Sequence, residues 1–142
     1  MMINSAELTF VSRSVNERFA RMSAAAFASQ LDPTVEELAE IKTSVSEAVT
    51  NCIVHAYGSE LGVIKMKMQL FDDNIIRITV RDFGCGIEDV GKAMEPCFST
   101  GSDERAGMGF TIMESFSDRL RVASKPGKGT KIVMERKIVR RG

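Results

Sequence analysis

Tryptophan is absent from this chain of 142 residues, and histidine and tyrosine occur once each. No apolar run approaches the roughly 20 residues that a membrane-spanning helix needs, which excludes a helical membrane protein. Cysteine is scarce too: Cys52, Cys85 and Cys97 form an odd, widely separated set without metal-site or disulfide-framework spacing. With no signal-peptide pattern beside them, they predict reduced thiols and a cytoplasmic location. The complete Gly-x-x-x-x-Gly-Lys-Ser/Thr phosphate loop is missing, because Gly86, Gly91 and Lys92 have its spacing but Ala93 stands where the Mg²⁺-binding hydroxyl belongs, so a Walker-type nucleotide site is excluded. Net charge is also missing, because 19 basic residues balance 19 acidic ones.

That balance is uneven along the chain. Residues 1–60 carry 4 basic and 8 acidic side chains, residues 61–118 carry 6 and 10, and residues 119–142 carry 9 and 1. A basic end can mark a nucleic-acid surface, but here no aromatic residues interleave with the charges. The exposed face of a hairpin explains the charges without nucleic acid, and an acidic protein partner fits them at least as well.

An apolar fraction of 44% and a charged fraction of 27% are those of a globular chain, read here as one domain over residues 1–142. Residues 7–11 alternate as a short strand, and Ser14 is placed to cap a helix with Val15, Phe19, Met22 and Ala26 along one side. Asp32-Pro33-Thr34 breaks that helix, and Thr34 with Glu37 has capping-box spacing at the start of a second. The second helix is expected to reach about Tyr57, with an apolar arc from Leu38 through Ile41, Val45, Val49 and Cys52 to Ala56. Two alternating runs around Asp72-Asp73-Asn74 predict a hairpin, and residues 94–106 read as a loop. A helix over residues 108–116 and a hairpin around Pro126-Gly127-Lys128-Gly129 complete the chain. No βαβ alternation appears, so the expected class is α+β: a two-layer sandwich with a mixed, largely antiparallel sheet and helices on one face.

Three pieces carry chemistry. Glu47-Ala-Val-Thr-Asn51 sets a carboxylate and an amide four residues apart on one helical face, with His55 extending the row. Asn51 offers a neutral oxygen suited to Mg²⁺ between phosphates, and Glu47 can orient or deprotonate an attacking hydroxyl. Asp82-Phe-Gly84-Cys-Gly86 puts a carboxylate before a turn that two glycines let bend tightly. A buried carboxylate accepts a hydrogen bond from the exocyclic amine of adenine and opposes the oxygen of guanine, so Asp82 predicts ATP over GTP. Thr130, after Gly129, is a possible second hydroxyl for that base. Gly107-Met108-Gly109 opens a helix whose free N–H groups can hold phosphate, and Arg105 is within reach of a γ-phosphate. Taken singly, each string has an ordinary structural explanation. Their order, on a helix, a strand end and a helix start, describes one ATP site.

That order resembles the Bergerat-type ATPase fold shared by DNA gyrase, the Hsp90 chaperone, histidine kinases and the mismatch-repair ATPases. The whole chain resembles the anti-sigma factor and serine kinase family of endospore-forming bacteria. The matching stretches include Ala20-Arg21, residues 31–34, residues 46–51, Arg105 and, most specifically, residues 107–114. The resemblance implies that Glu47 is the catalytic base, Asn51 the Mg²⁺ ligand and Asp82 the adenine reader. It also implies that Gly84, Gly86, Gly107, Gly109 and Thr130 line the nucleotide pocket, that residues 94–106 form a lid, and that Arg21 contacts both protein partners. Those partners are a sporulation sigma factor, which the family binds as a homodimer and inhibits, and an anti-anti-sigma protein that it phosphorylates on serine with Mg-ATP. The only histidine lies within the ATP-site helix, which leaves no separate phospho-accepting histidine. Two alternatives share the pocket: a stress-response anti-sigma kinase, and a nucleotide-gated sigma-binding module whose chemistry is irrelevant.

Overall fold

A computed structural model of the chain describes residues 1–57, 60–86 and 104–139, with residues 104–107 described by their backbone alone. Five strands form one sheet in the order β1-β2-β3-β5-β4: β1 Met2–Val11, β2 Val63–Phe71, β3 Ile75–Asp82, β4 Arg119–Lys125 and β5 Gly129–Lys137. All four pairings are antiparallel, the limiting case of the largely antiparallel sheet expected. Helices α1 Asn16–Ala28, α2 Val35–Asn51 and α3 Glu104–Phe116 accompany the sheet.

The strict alternation of β2 explains its place. Ile64, Met66, Met68 and Leu70 are buried, while Lys65 and Lys67 between them are exposed. The inner sheet face meets Ile41, Val45, Ala48, Val49 and Cys52 of α2 and its extension in one core. Full burial of an aliphatic side chain is worth about 1.5–3 kcal/mol, so this double layer dominates the fold's stability.

The break between α1 and α2 forms as its residues require. A 3₁₀ turn, Ser29–Leu31, ends at Asp32 with φ of 53°, and Pro33 follows. Thr34 Oγ1 accepts from the Glu37 N–H at 2.9 Å, and Glu37 Oε1 accepts from the Thr34 N–H at 2.8 Å, completing the capping box. The second Glu37 oxygen accepts from Val139 N–H at 3.0 Å, and Arg136 bonds Glu40 at 2.7 Å, fastening the end of β5 to the start of α2.

Several expectations change. β1 runs from Met2 rather than from residue 7. Ser14 does not cap α1, which starts after Val15 without a side-chain cap. The bulky stripe on α1 faces outward: Val15, Phe19 and Met22 are 73%, 52% and 50% exposed, and Ala20, Ala24 and Ala28 are buried instead. Small side chains let α1 lie close against its neighbours, which bulky ones would not. α2 stops as an α-helix at Asn51 and continues as a π-turn, Cys52–Ala56. α3 begins at Glu104, inside the segment expected to be loop, so Gly107 and Gly109 lie within its first turns rather than before them. Residues 94–103 of the expected lid, including Thr100 and Cys97, lie outside the described residues.

Candidate functional site

The geometry builds outward from α2. Glu47 and Asn51 stand one turn apart and half-buried, on the side of the helix away from its fully buried Val45, Ala48 and Val49. α3 passes beside them at Gly109, where an added methyl would sit 3.0 Å from Glu47 Oε2 and 3.6 Å from Asn51 Nδ2. Any larger residue at 109 would fill the space in front of both groups. Among the described residues, the Asn51 amide nitrogen is buried without a hydrogen-bond partner. A buried polar atom left open in this way is costly unless a ligand meets it. Turning the amide over presents Oδ1 to the same space.

The π-turn after Asn51 joins this end of the site to the next. Its Ala56 carbonyl accepts from the Cys85 N–H at 2.7 Å, and the His55 carbonyl accepts from the Cys85 thiol at 3.1 Å. Gly84 lies so close that any side chain there would collide with the Ala56 carbonyl. Tyr57 completes the joint: its hydroxyl accepts from Phe83 N–H at 2.7 Å and donates to the Val63 carbonyl at 2.6 Å.

Asp82 ends β3 facing inward and is buried. Its Oδ1 accepts from Gly84 N–H at 3.0 Å and from Thr130 N–H at 3.2 Å. The Cys52 thiol is hydrogen-bonded to the same carboxylate; burial first, and the Asp82 charge second, push that thiol well above its ordinary pKa. Thr130 is buried, and its hydroxyl lies 2.8 Å from Ser124 Oγ. Gly129, with φ of 102°, packs directly on the Asp82 carbonyl, a place and a backbone conformation that only glycine accepts without strain. Gly86, with φ of 76°, meets the Lys125 carbonyl, while Cys85 accepts from Gly127 N–H at 2.7 Å.

One surface therefore gathers Glu47, Asn51 and Gly109, and a second, tied to it through residues 52–57, gathers Asp82, Gly84, Gly86 and Thr130. Gly107 lies on α3 two residues before Gly109, and the Arg105 side chain is outside the described residues. Arg21 is remote from both surfaces in sequence and is not a bare surface charge. It is partly buried, with Nε 3.2 Å from Glu17 Oε1, an ion pair aligned too poorly to count as a hydrogen bond.

Comparison with known proteins bears on this arrangement. A family model described as the histidine kinase-like ATPase domain matches residues 10–136. An anti-sigma F factor of Caldanaerobacter subterraneus is 58% identical over 96% of both chains. That of Clostridium acetobutylicum is 51% identical, again over 96% of each. The chain belongs to the anti-sigma F factor family. Among solved structures, the RsbU and RsbW domains of Rv1364c from Mycobacterium tuberculosis superpose with a TM-score of 0.70 at 17% identity, covering 96% of this chain and 32% of that longer one. The histidine kinase domain of a blue-light activated kinase from Erythrobacter litoralis gives 0.57 at 21% identity, covering 83% of this chain and 59% of that one. These likenesses establish the fold. As an ATPase domain, this anti-sigma F family member binds nucleotide and uses ATP.

Sequence reasoning missed three residues of the site. Cys52 was legible only as a core residue, and Tyr57 only as a helix end; Cys52 gains its role from Asp82, 30 residues on, and Tyr57 from Val63 and Phe83, 6 and 26 residues on. Ser124 carried no signal beyond a hairpin position.

Proposed function

We propose that this chain is a cytoplasmic protein-serine kinase that also binds and inhibits a sporulation sigma factor. With Mg-ATP it phosphorylates a serine of an anti-anti-sigma protein, the antagonist that releases sigma. The observation that carries the kinase reading is that Glu47 and the open Asn51 amide face the same gap, kept clear by Gly109. The F-type name carried by relatives at 48–58% identity favours the sporulation partner set over the stress-response one.

In this reading Asp82 accepts from the adenine amine, while Gly84, Gly86 and Thr130 shape the base end. Gly107 and Gly109 admit the phosphates to the start of α3, and Arg105 is assigned to the γ-phosphate. The Glu47 carboxylate takes the proton from the substrate serine as its oxygen bonds to phosphorus and the bond to ADP breaks. Asn51 is the residue that would hold Mg²⁺, which neutralises charge on the transferring phosphate.

A homodimer is part of the same proposal. The outward stripe of Val15, Phe19 and Met22 on α1 gives a second copy apolar surface to cover, with Arg21 on the same helix for partner contact.

The deciding experiment mixes the protein with Mg-ATP and the anti-anti-sigma protein and follows phosphoserine by mass spectrometry. Glu47→Gln is expected to slow transfer by about 10²–10⁴-fold while nucleotide affinity survives. Equal loss of binding and rate would remove Glu47 as the base. No transfer by the wild type, with ATP bound, would leave a nucleotide-gated sigma binder.

A further inference from the structure

The outer face of the sheet, turned away from the helices, is ruled into cross-strand rows by its register. In one row Arg77 lies opposite Glu135, and their side chains meet at 3.3 Å, with Arg121 at 3.9 Å from the same carboxylate. In the next, Glu7 lies opposite Lys67. The third row has no acid. Lys65 is opposite Arg81, and Arg81 is opposite Lys131, with Thr9 and Ala123 as the flanking positions.

Like charges directly opposite one another destabilise a sheet, whereas opposite charges support it. The same face therefore follows the rule in two rows and breaks it in one. All three cations are exposed, and among the described residues no carboxylate forms an ion pair with any of them. The row lines a trough of about 640 Å³ on this face, together with Phe83. Arg81 and Lys65 share the Phe83 ring, but among the described residues no acid answers any of the three charges, and a local rule broken without an opposite charge is the mark of a surface built for something else.

We propose that the Lys65–Arg81–Lys131 row is a docking site for a carboxylate-rich segment of another protein. Charge complementarity identifies the occupant. Single-stranded nucleic acid fits less well, because it needs open aromatic faces for stacking. The Phe83 ring is taken by Arg81 at 4.9 Å and Lys65 at 5.9 Å, and the Phe71 ring by Arg77 at 4.6 Å. A second copy fits worse still, since a two-fold contact would bring the same three cations face to face. The proposal rests on register and charge alone and is independent of the kinase reading.

The test uses the full chain and a fluorescent glutamate-rich peptide, with an oligothymidylate of equal charge as the comparison. The triple variant Lys65→Gln/Arg81→Gln/Lys131→Gln is set against Lys67→Gln/Arg77→Gln/Arg121→Gln, which removes the same charge from the neighbouring rows. The wild type should bind the peptide more tightly than the oligonucleotide. The first variant should lose about ten-fold or more in affinity and the second only about two-fold. Equal losses would mean a diffuse field and no site, tighter oligonucleotide binding would make this a nucleic-acid face, and peptide-free self-association lost in the first variant would make it a contact between copies. Each of these would overturn the proposal. Should the triple variant fail to fold, Arg81→Gln alone, at the centre of the row, must still weaken the peptide more than Arg77→Gln does.

Discussion

Asp82 spends its inner-face oxygen on the backbone of its own turn and of β5, and it also keeps a neutral thiol beside it. That thiol sets a pH limit. The folded pKa of Cys52 is raised, so its contribution is complete below the unfolded value of about 8.5 and is lost as pH rises, at up to about 1.4 kcal/mol per unit. Melting temperatures at pH 8 and pH 10 should fall further apart in the wild type than in Cys52→Ala; equal differences would place the alkaline sensitivity elsewhere. The Asp82 turn was legible because glycines mark it locally. The Cys52–Asp82 contact was not, because it crosses from the end of α2 to the end of β3, a pairing that only the helix-on-sheet packing creates.

Among elements, the start of α2, its capping box and the reach of the whole helical run to Ala56 could be read from Thr34, Glu37 and the apolar arc, since these signals are local or periodic. The switch from α to π at Cys52 could not, because the arc runs through it without a break in period. On α1, periodicity found a stripe but not its direction: two apolar stripes exist, and the alanine one is inside. The joint around Tyr57 gives the prediction proper to this scale. Tyr57→Phe removes one donor and one acceptor that together bind β2 to the Asp82 loop. Its cost is expected to be about 1 kcal/mol, seen as a Tm lower by about 3 °C. An unchanged Tm would show that the loop is held by its Ala56 contacts alone.

For the whole molecule, the β2–β3 and β4–β5 neighbours follow from hairpins that the turn residues announce, and the two layers follow from alternation in β2 and β3, whereas the β1–β2 and β3–β5 pairings join strands separated by helices and carried no local signal. What no single chain reveals is its neighbour. A charged residue in the outward α1 stripe should decide that point: if the proposed homodimer uses it, Phe19→Glu is expected to turn the dimer into a monomer by light scattering while the Tm of the fold is kept, because the side chain is half-exposed and outside the core. A variant that stays dimeric would move the interface off α1.

Asn51 is the last residue of α2, and Ala56, five positions on, grips the loop after Asp82. The two ends of the site thus belong to one girder rather than to jaws that slide. Under the proposed roles the nucleotide is gauged against a fixed span, and a shorter one leaves the far end empty instead of drawing the ends together. ADP and ATP should then grip the base end equally. Any preference of a protein partner for one of them must be registered on the α3 side, around Gly107 and Gly109.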